Sequence, residues 1–194
     1  MRPNLSGLSD RDLVLRVQDA HDRDAFGELV RRHHTPLRAF LWRLTGNGGE
    51  AEDLAQDVFI RCYDRIAGFR GASSFRTWVF AIAYREFLRW KRRGLIYGKL
   101  LRHFSRAPEG GDALHPDEAF ELQRSLNALG VTERAALLLC DACGLSHSEA
   151  AEALSVPLGS LKTYVQRGRE KMRARLGDHA ELEQGQLVSC KTTI

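Results

Sequence analysis

A predicted helix near the C-terminus carries polar side chains at positions that suit the edges of DNA bases. The segment from Leu145 to Tyr164 has the layout of a helix-turn-helix, in which small Ala151 permits a close helix approach and Ser155 falls at the turn. Because Lys and Arg bond guanine edges and Gln bonds adenine in the major groove, we predict that the second helix reads DNA. An ordinary helical hairpin with a polar outer face is the alternative. The exposed polar positions of the second helix are Ser160, Lys162, Thr163, Gln166, Arg167 and Arg169.

A second segment interleaves aromatic and cationic side chains at helical spacing. It is a helix predicted from Phe75 to Arg93, and it ends in a run of cations. Aromatic faces can stack on unpaired bases while cations hold phosphates. The same aromatic spacing also fits a helical core, and we favour burial for the aromatic residues. The cations and the loop before the helix are therefore the better candidates for DNA contact.

Cys140 and Cys143 form a CxxC pair, with His147 four residues further along the chain. This set is compatible with a thiol switch or a metal site. A zinc site needs about four ligands, and only three cluster here. The pair also ends the apolar run Ala135 to Leu139, where cysteine packs as a small hydrophobic residue. We therefore predict structural thiols, without a metal or cofactor.

Charge separates along the chain, although the formal net charge of the 194 residues is only +4. Residues 61–106 contain 12 Lys or Arg and 2 acidic residues, and residues 158–175 contain 6 and 1. Residues 107–157, between them, contain 2 Arg and 9 acidic residues. Two basic blocks indicate two contact zones for a polyanion, but two solvated helix faces would give the same pattern.

Several functional classes find no support in the sequence. No run of 18 apolar residues predicts a membrane span, and the N-terminus lacks the apolar core of a signal peptide, so we expect a cytoplasmic protein. No nucleophile–base set, P-loop or dinucleotide-binding motif is present, so we do not expect an enzyme.

Apolar residues at three- and four-residue steps predict an all-α fold. We expect two small helical domains joined by a flexible linker, with the helix-turn-helix in the C-terminal domain. In the first domain, Pro36 should bend or restart a helix, Asn47-Gly48-Gly49 should form a turn, and Gly68 to Ser74 should be a loop. The expected divisions are a first domain at 10–93, a linker at 94–116, a second domain at 117–176 and a tail at 177–194.

Taken in order, these segments resemble the extracytoplasmic-function (ECF) group of bacterial RNA polymerase sigma factors, in the sigma-70 superfamily. Asp24 to Val30 looks like the start of the family's first conserved domain. Ala51 to Phe59 is similar to its segment that docks on the coiled coil of the polymerase β′ subunit. Phe69 to Gly71, followed by Ser74 to Trp78 and then Ile82-Ala83, looks like the segment that melts and reads the −10 element.

The C-terminal half completes the resemblance, which covers about residues 10–176. Gly144 to Ser146, Glu149 to Ala151 and Val156 to Lys162 are similar to the helix-turn-helix that reads the −35 element. The resemblance implies a factor that joins core RNA polymerase through its β′ and β subunits, binds promoter DNA and directs promoter-specific initiation. It also implies an anti-sigma factor as the controlling partner.

The resemblance assigns roles to individual residues. Asp53, Gln56 and Asp57 share one helix face and, with Phe59, would dock on polymerase. A favourable helix start is the alternative explanation for these three polar residues. The six polar residues of the second helix of the helix-turn-helix would read the −35 element. The residues implied in −10 binding are Phe69, Arg70, Ser73, Ser74, Phe75, Arg76, Trp78, Arg85 and Arg89.

The sequence also departs from the family pattern in both reading segments. Tyr84 and Arg85 follow the Ile-Ala pair, where many relatives carry an Asn that reads a base, so −10 specificity cannot be transferred from relatives. Lys162-Thr163-Tyr164 stands where many relatives have Lys or Arg, then Ser, then Arg. The −35 sequence therefore stays open.

Two other functions are compatible with parts of the sequence. A helix-turn-helix regulator that does not join the holoenzyme would explain the C-terminal half, but not the Asp53–Phe59 segment or the basic–aromatic helix. A thiol oxidoreductase built on Cys140 and Cys143 would need a βαβ context, which the pattern does not contain.

Overall fold

Capping side chains determine where the helices of the N-terminal half begin. This computed structural model describes residues 5–100 and 116–189, and the side chains of residues 5–94 and 121–176. The first helix, α1 (Asp10–Ala20), starts after Ser9. The Ser9 hydroxyl accepts from the backbone N–H of Asp12, and the Asp12 carboxylate accepts from the backbone N–H of Ser9. α2 (Arg23–Thr45) and α3 (Gly48–Arg65) follow, capped by Asp22 and Asn47.

Ser74 caps α4 (Phe75–Leu100), since its Oγ accepts from the backbone N–H of Thr77 at 3.0 Å. A 3-10 turn at Ile66–Gly68 leads from α3 into the predicted loop.

Two details differ from the prediction. α2 runs through Pro36 without restarting, because its flanks are held by buried Leu29 and Leu37. Gly48 and Gly49 belong to the first turn of α3, because the Asn47 side chain already caps that turn.

The core of α1 to α4 contains large side chains that are almost wholly excluded from solvent. Phe40 of α2 and Phe80 of α4 meet edge to face, with ring centroids 5.3 Å apart. Leu13 of α1 and Val58 of α3 are also fully buried. Each such side chain stabilises the fold by roughly 1.5–3 kcal/mol, so the four helices are held as one packed unit.

The C-terminal half is also helical. α5 (Pro116–Asn127) and α6 (Val131–Leu137) precede a π-helical turn at Leu138–Ala142, and α7 (His147–Leu154) and α8 (Leu158–Ser189) follow. The predicted capping box is present, since Ser146 and Glu149 exchange hydrogen bonds with each other's backbone N–H. Gly144 and Ser155 adopt positive φ angles of 66° and 56°, which turn the chain on either side of α7.

The two halves contact one another through polar groups. The Tyr84 hydroxyl of α4 lies 3.3 Å from the Thr132 hydroxyl of α6. Arg134 of α6 is 9% exposed and donates from Nη1 to the carbonyl of Leu44, at the end of α2, and to the side-chain oxygen of Asn127. Its Nε has no hydrogen-bond partner among the described residues, and burial lowers the pKa of this guanidinium.

The all-α prediction is confirmed, since residues 5–100 and 116–189 contain no strand. α4 continues past the predicted end at Arg93 to Leu100, and α8 continues past Leu176 to Ser189. The remainder of the predicted linker, residues 101–115, and the last five residues of the tail lie outside the described residues. No helix in the described ranges combines the length and apolar character needed to cross a bilayer.

Candidate nucleic-acid and polymerase interfaces

The predicted base-reading residues of the helix-turn-helix lie on the N-terminal half of α8. Leu161 and Val165 point inward and are buried, which turns the residues between them toward solvent. Of the six predicted base-reading residues, Ser160 is half-buried and the others are exposed, namely Lys162, Thr163, Gln166, Arg167 and Arg169.

The exposed side chains of α8 differ in their availability for DNA. Arg169 makes a two-pronged ion pair with Asp141 of the π-helical turn, at 2.9 and 2.6 Å, which raises the pKa of the guanidinium. Gln166 donates to Glu170 at 3.0 Å, and the Thr163 hydroxyl donates to the carbonyl of Gly159. Lys162 has no such partner within the described residues, so it can contact DNA without breaking an existing bond.

The loop before α4 is built on an aromatic cluster. The Phe69 ring lies 4.9 Å from that of Trp78 and 6.1 Å from that of Phe75. Phe75 is buried, as we favoured for the aromatic residues, whereas Phe69 and Trp78 are half-buried. Of the other predicted −10 residues here, Arg70 and Ser74 are exposed, and Ser73 and Arg76 are half-buried. Since Ser74 caps α4, its hydroxyl is already occupied.

A buried carboxylate orients the cations further along α4. Arg85 and Arg89 are exposed, as a DNA contact requires. Glu86 has a side chain only 3% exposed, and its Oε1 accepts from Arg89 at 2.6 Å and pairs with Arg61 of α3 at 3.0 Å. Sequence reasoning missed Glu86, although its i, i+3 spacing to Arg89 was visible.

α7 packs against the same part of α4 that bears the −10 candidates. Thr77 is 1% exposed, and its hydroxyl donates to the Glu149 carboxylate of α7 at 3.3 Å. Hydrogen bonds from Ser146, with a smaller contribution from Thr77, lower the pKa of Glu149. Tyr84, at the position where a base reader was expected, is buried against α6. The two halves that resemble separate DNA readers therefore contact each other in this structure.

The predicted polymerase-docking residues do not share one environment. Asp53, Gln56 and Asp57 are exposed on one face of α3. Phe59 is 6% exposed and stacks on His34, with ring centroids 6.3 Å apart, so it supports the helix from inside. Ile60, which sequence reasoning missed, is 60% exposed and lies one turn after Gln56 on the acidic face.

Comparison with known proteins decides the family. Models of sigma-70 region 2 and sigma-70 region 4 match residues 29–94 and 119–172. The ECF RNA polymerase sigma factor SigW of Bacillus subtilis is 30% identical over 180 residues, covering 81% of this chain and 91% of that protein. The chain belongs to the ECF sigma factors of the sigma-70 family.

Other relatives agree with this assignment. SigM of Mycobacterium tuberculosis, an ECF sigma factor, is 31% identical over 170 residues, covering 87% of this chain and 85% of SigM. SigE of Mycolicibacterium smegmatis is 33% identical over 165 residues, but the chain spans only 63% of its length. Among solved structures, the sigma factor RpoE of Bartonella quintana, in complex with the anti-sigma factor NepR, superposes with a TM-score of 0.68 at 27% identity. That match covers 78% of this chain and 96% of RpoE.

The three cysteines that the structure describes, Cys62, Cys140 and Cys143, have the properties of packed thiols. Burial raises the pKa of Cys143 to about 11 and that of Cys62 to about 12, and it also raises the pKa of Cys140. Within the described residues, no three His, Cys, Asp or Glu side chains are grouped in a way that could hold a metal ion. A reactive thiol pair needs a lowered pKa, so this environment opposes the oxidoreductase alternative.

We expect iodoacetamide to modify Cys143 slowly at pH 8 in the native protein. A pKa of about 11 in place of 9.0 leaves about a hundredfold less thiolate, which is the reacting form. Mass spectrometry can follow alkylation site by site, with the urea-unfolded chain as the reference. Equal rates in the native and unfolded proteins would contradict the burial argument, and insulin reduction that disappears in Cys140→Ser would revive the oxidoreductase.

Proposed function

We propose that this sigma factor binds core RNA polymerase and directs promoter-specific initiation. In this proposal α8 reads the −35 duplex, and the loop before α4 holds melted −10 DNA. The observation that carries it is the exposed acidic face of α3, formed by Asp53, Gln56 and Asp57. A regulator that acts only by binding DNA has no need of such a face beside its cationic reading surfaces. The proposal includes no catalytic residue and no cofactor.

We place a second protein contact in an apolar groove beside α8. The groove has a volume of about 650 Å³, and Leu126, Leu138 and Met172 contribute to its floor. Arg169 and Arg173 of α8 and Arg43 of α2 also line it, and one acid, Asp141, pairs with Arg169 there, so the groove keeps a net positive charge. An amphipathic helix with acidic flanks fits this combination of apolar floor and cationic lining. Since the relative from Bartonella quintana was solved with an anti-sigma factor, we include control by an anti-sigma factor in the proposal.

In vitro transcription with purified core polymerase tests the function directly. Core enzyme supplied with this chain should produce discrete transcripts from a subset of genomic fragments, whereas core enzyme alone should not. Sequencing the fragments bound by the holoenzyme would define both promoter elements. If no genomic fragment is transcribed while the protein still binds DNA, the helix-turn-helix regulator becomes the better assignment.

Replacing both Asp53 and Asp57 with Ala should weaken binding to core polymerase. We expect a loss of about threefold to thirtyfold, because each exposed ion pair contributes up to roughly 1 kcal/mol. Fluorescence anisotropy of the labelled sigma factor against core enzyme measures this affinity. Asp19→Ala with Glu152→Ala makes the same charge change at exposed positions on α1 and α7, outside α3, and should bind normally. Equal affinities for the two double variants would remove the docking role.

Lys162→Ala should weaken −35 recognition in a sequence-dependent way. A two-pronged contact to a base contributes about 1–3 kcal/mol to discrimination, so the loss should concentrate on DNA with the preferred base. Binding to a panel of −35 duplexes at several salt concentrations separates the two possible contacts. A uniform loss, with a salt slope reduced by about 0.9, would instead assign Lys162 to a phosphate.

A further inference from the structure

A cleft of about 580 Å³ separates α1 from the loop that precedes α4. One wall consists of α1 and its N-cap, and the other consists of the segment from Phe69 to Phe75. Its volume lies within the roughly 300–1,000 Å³ of sites that enclose small ligands. The match to sigma-70 region 2 begins at residue 29, whereas α1 ends at Ala20, so the family match assigns no role to the α1 wall.

The α1 wall is held firmly in place. Leu13, Val14 and Val17 are 0–3% exposed and anchor the inner face of α1 in the core. At the N-terminal end, the Asp10 carboxylate lies 2.6 Å from Nε2 of His33 and 3.0 Å from Nη1 of Arg32, both on α2. Because both ends of the helix are tied down, its outer face is a preformed surface.

Gln18 connects this wall to the loop. Its side-chain Nε2 donates to the carbonyl of Ile66 at 2.7 Å and to the carbonyl of Phe69 at 2.8 Å. An amide nitrogen has two protons, and both are used here. Phe69 also packs on Trp78, so the bonds from Gln18 fix the position from which the rest of the loop departs. Gly71 then turns the loop with a φ of +70°.

The chemistry of the cleft suits one unpaired nucleotide. Leu15 lines the α1 side and is 47% exposed, so its apolar side chain is available to a ligand in the cleft. Phe69 offers a half-buried ring on the opposite side. Arg11 and Arg70 are exposed cations, one on each wall. Apolar surfaces for a base and cations for its phosphates are the groups that an extruded nucleotide requires.

We infer that α1 forms the second wall of the −10 base pocket, in which Leu15 contacts the extruded base and Gln18 is a positioning residue that holds the loop. The inference rests on the proposed function of the loop and extends it to residues outside the matched region. Replacing Gln18 with Leu removes both hydrogen bonds at similar size. Replacing Leu15 with Ala removes apolar contact from an exposed position, where little stability should be lost.

The test uses the full-length holoenzyme and a downstream fork DNA from a promoter that it transcribes. The fork has a single-stranded −10 nontemplate strand and no −35 element. A second probe is identical except for an abasic site at the extruded position. For the intact probe, we expect Gln18→Leu to weaken binding about tenfold and Leu15→Ala to weaken it about threefold to tenfold. On the abasic probe both variants should bind like the wild type.

Further measurements distinguish a positioning role of Gln18 from a general loss of protein stability. With 2-aminopurine at the extruded position, the fluorescence change that accompanies binding should be smaller in both variants. Leu158→Ala removes a similarly exposed leucine, 44% exposed, at the start of α8, and it should bind both probes normally. Thermal unfolding monitors the stability of each variant, and Leu15→Ala keeps the test decisive if Gln18→Leu does not fold.

Each remaining outcome has a defined meaning. If the wild type distinguishes the two probes but both variants match it, the α1 wall is wrong while the proposed function stands. If the variants lose equal affinity on both probes, Gln18 and Leu15 support the fold and not the base. If the wild type itself ignores the abasic site, the loop does not hold a base, and both the proposed role of the loop and this inference are overturned.

Discussion

Burial of α4 from two sides is the constraint on which the rest of this structure depends. Phe75, Phe80 and Phe87 are excluded from solvent in the hydrophobic core, and Thr77 and Tyr84 are covered by α7 and α6. Since little of the surface of α4 is exposed to solvent, the side chains that can contact a ligand lie at its start and along its exposed edge. The loop at its start and the arginines along its edge therefore stay accessible as the proposed DNA contacts, whereas Phe75, Phe80 and Phe87 pack in the core.

Acidic side chains hold several exposed cations of this sigma factor in ion pairs. Glu86 forms ion pairs with Arg61 and Arg89, and Asp141 forms one with Arg169. Glu86 is buried, so taking Arg61 or Arg89 away from it would leave a buried carboxylate unpaired, whereas Asp141 is exposed and could be rehydrated. The exposed pair of Arg169 with Asp141 contributes little stability by itself, so exchanging it for DNA costs little. The acidic residues thus hold these cations in defined positions as well as balancing their charge.

Most of the helices could be predicted from local patterns, whereas the contacts between them could not. Apolar periodicity and the capping residues Ser74 and Ser146 located α4 and α7. Of the bend or restart predicted at Pro36, the restart does not occur, because packing on both sides keeps the helix continuous. On α3, strict helical spacing would have selected Ile60 for the acidic face and placed Phe59 inward, so that signal was present in the sequence. Gln18 gave no local signal, since its hydrogen-bond partners lie 48 and 51 residues away.

The burial of Arg134 between α6 and the end of α2 affects the stability of the contact between the two halves. Its guanidinium is largely buried, and among the described residues its hydrogen bonds go to two neutral oxygens, those of Leu44 and Asn127, while its Nε has no partner there. Neutral acceptors compensate only part of the hydration that a buried cation gives up. Water that enters between the two halves can hydrate the guanidinium again, and this hydration partly offsets the free energy needed to separate the halves. Arg134 therefore makes this contact less stable than an apolar side chain of similar size would.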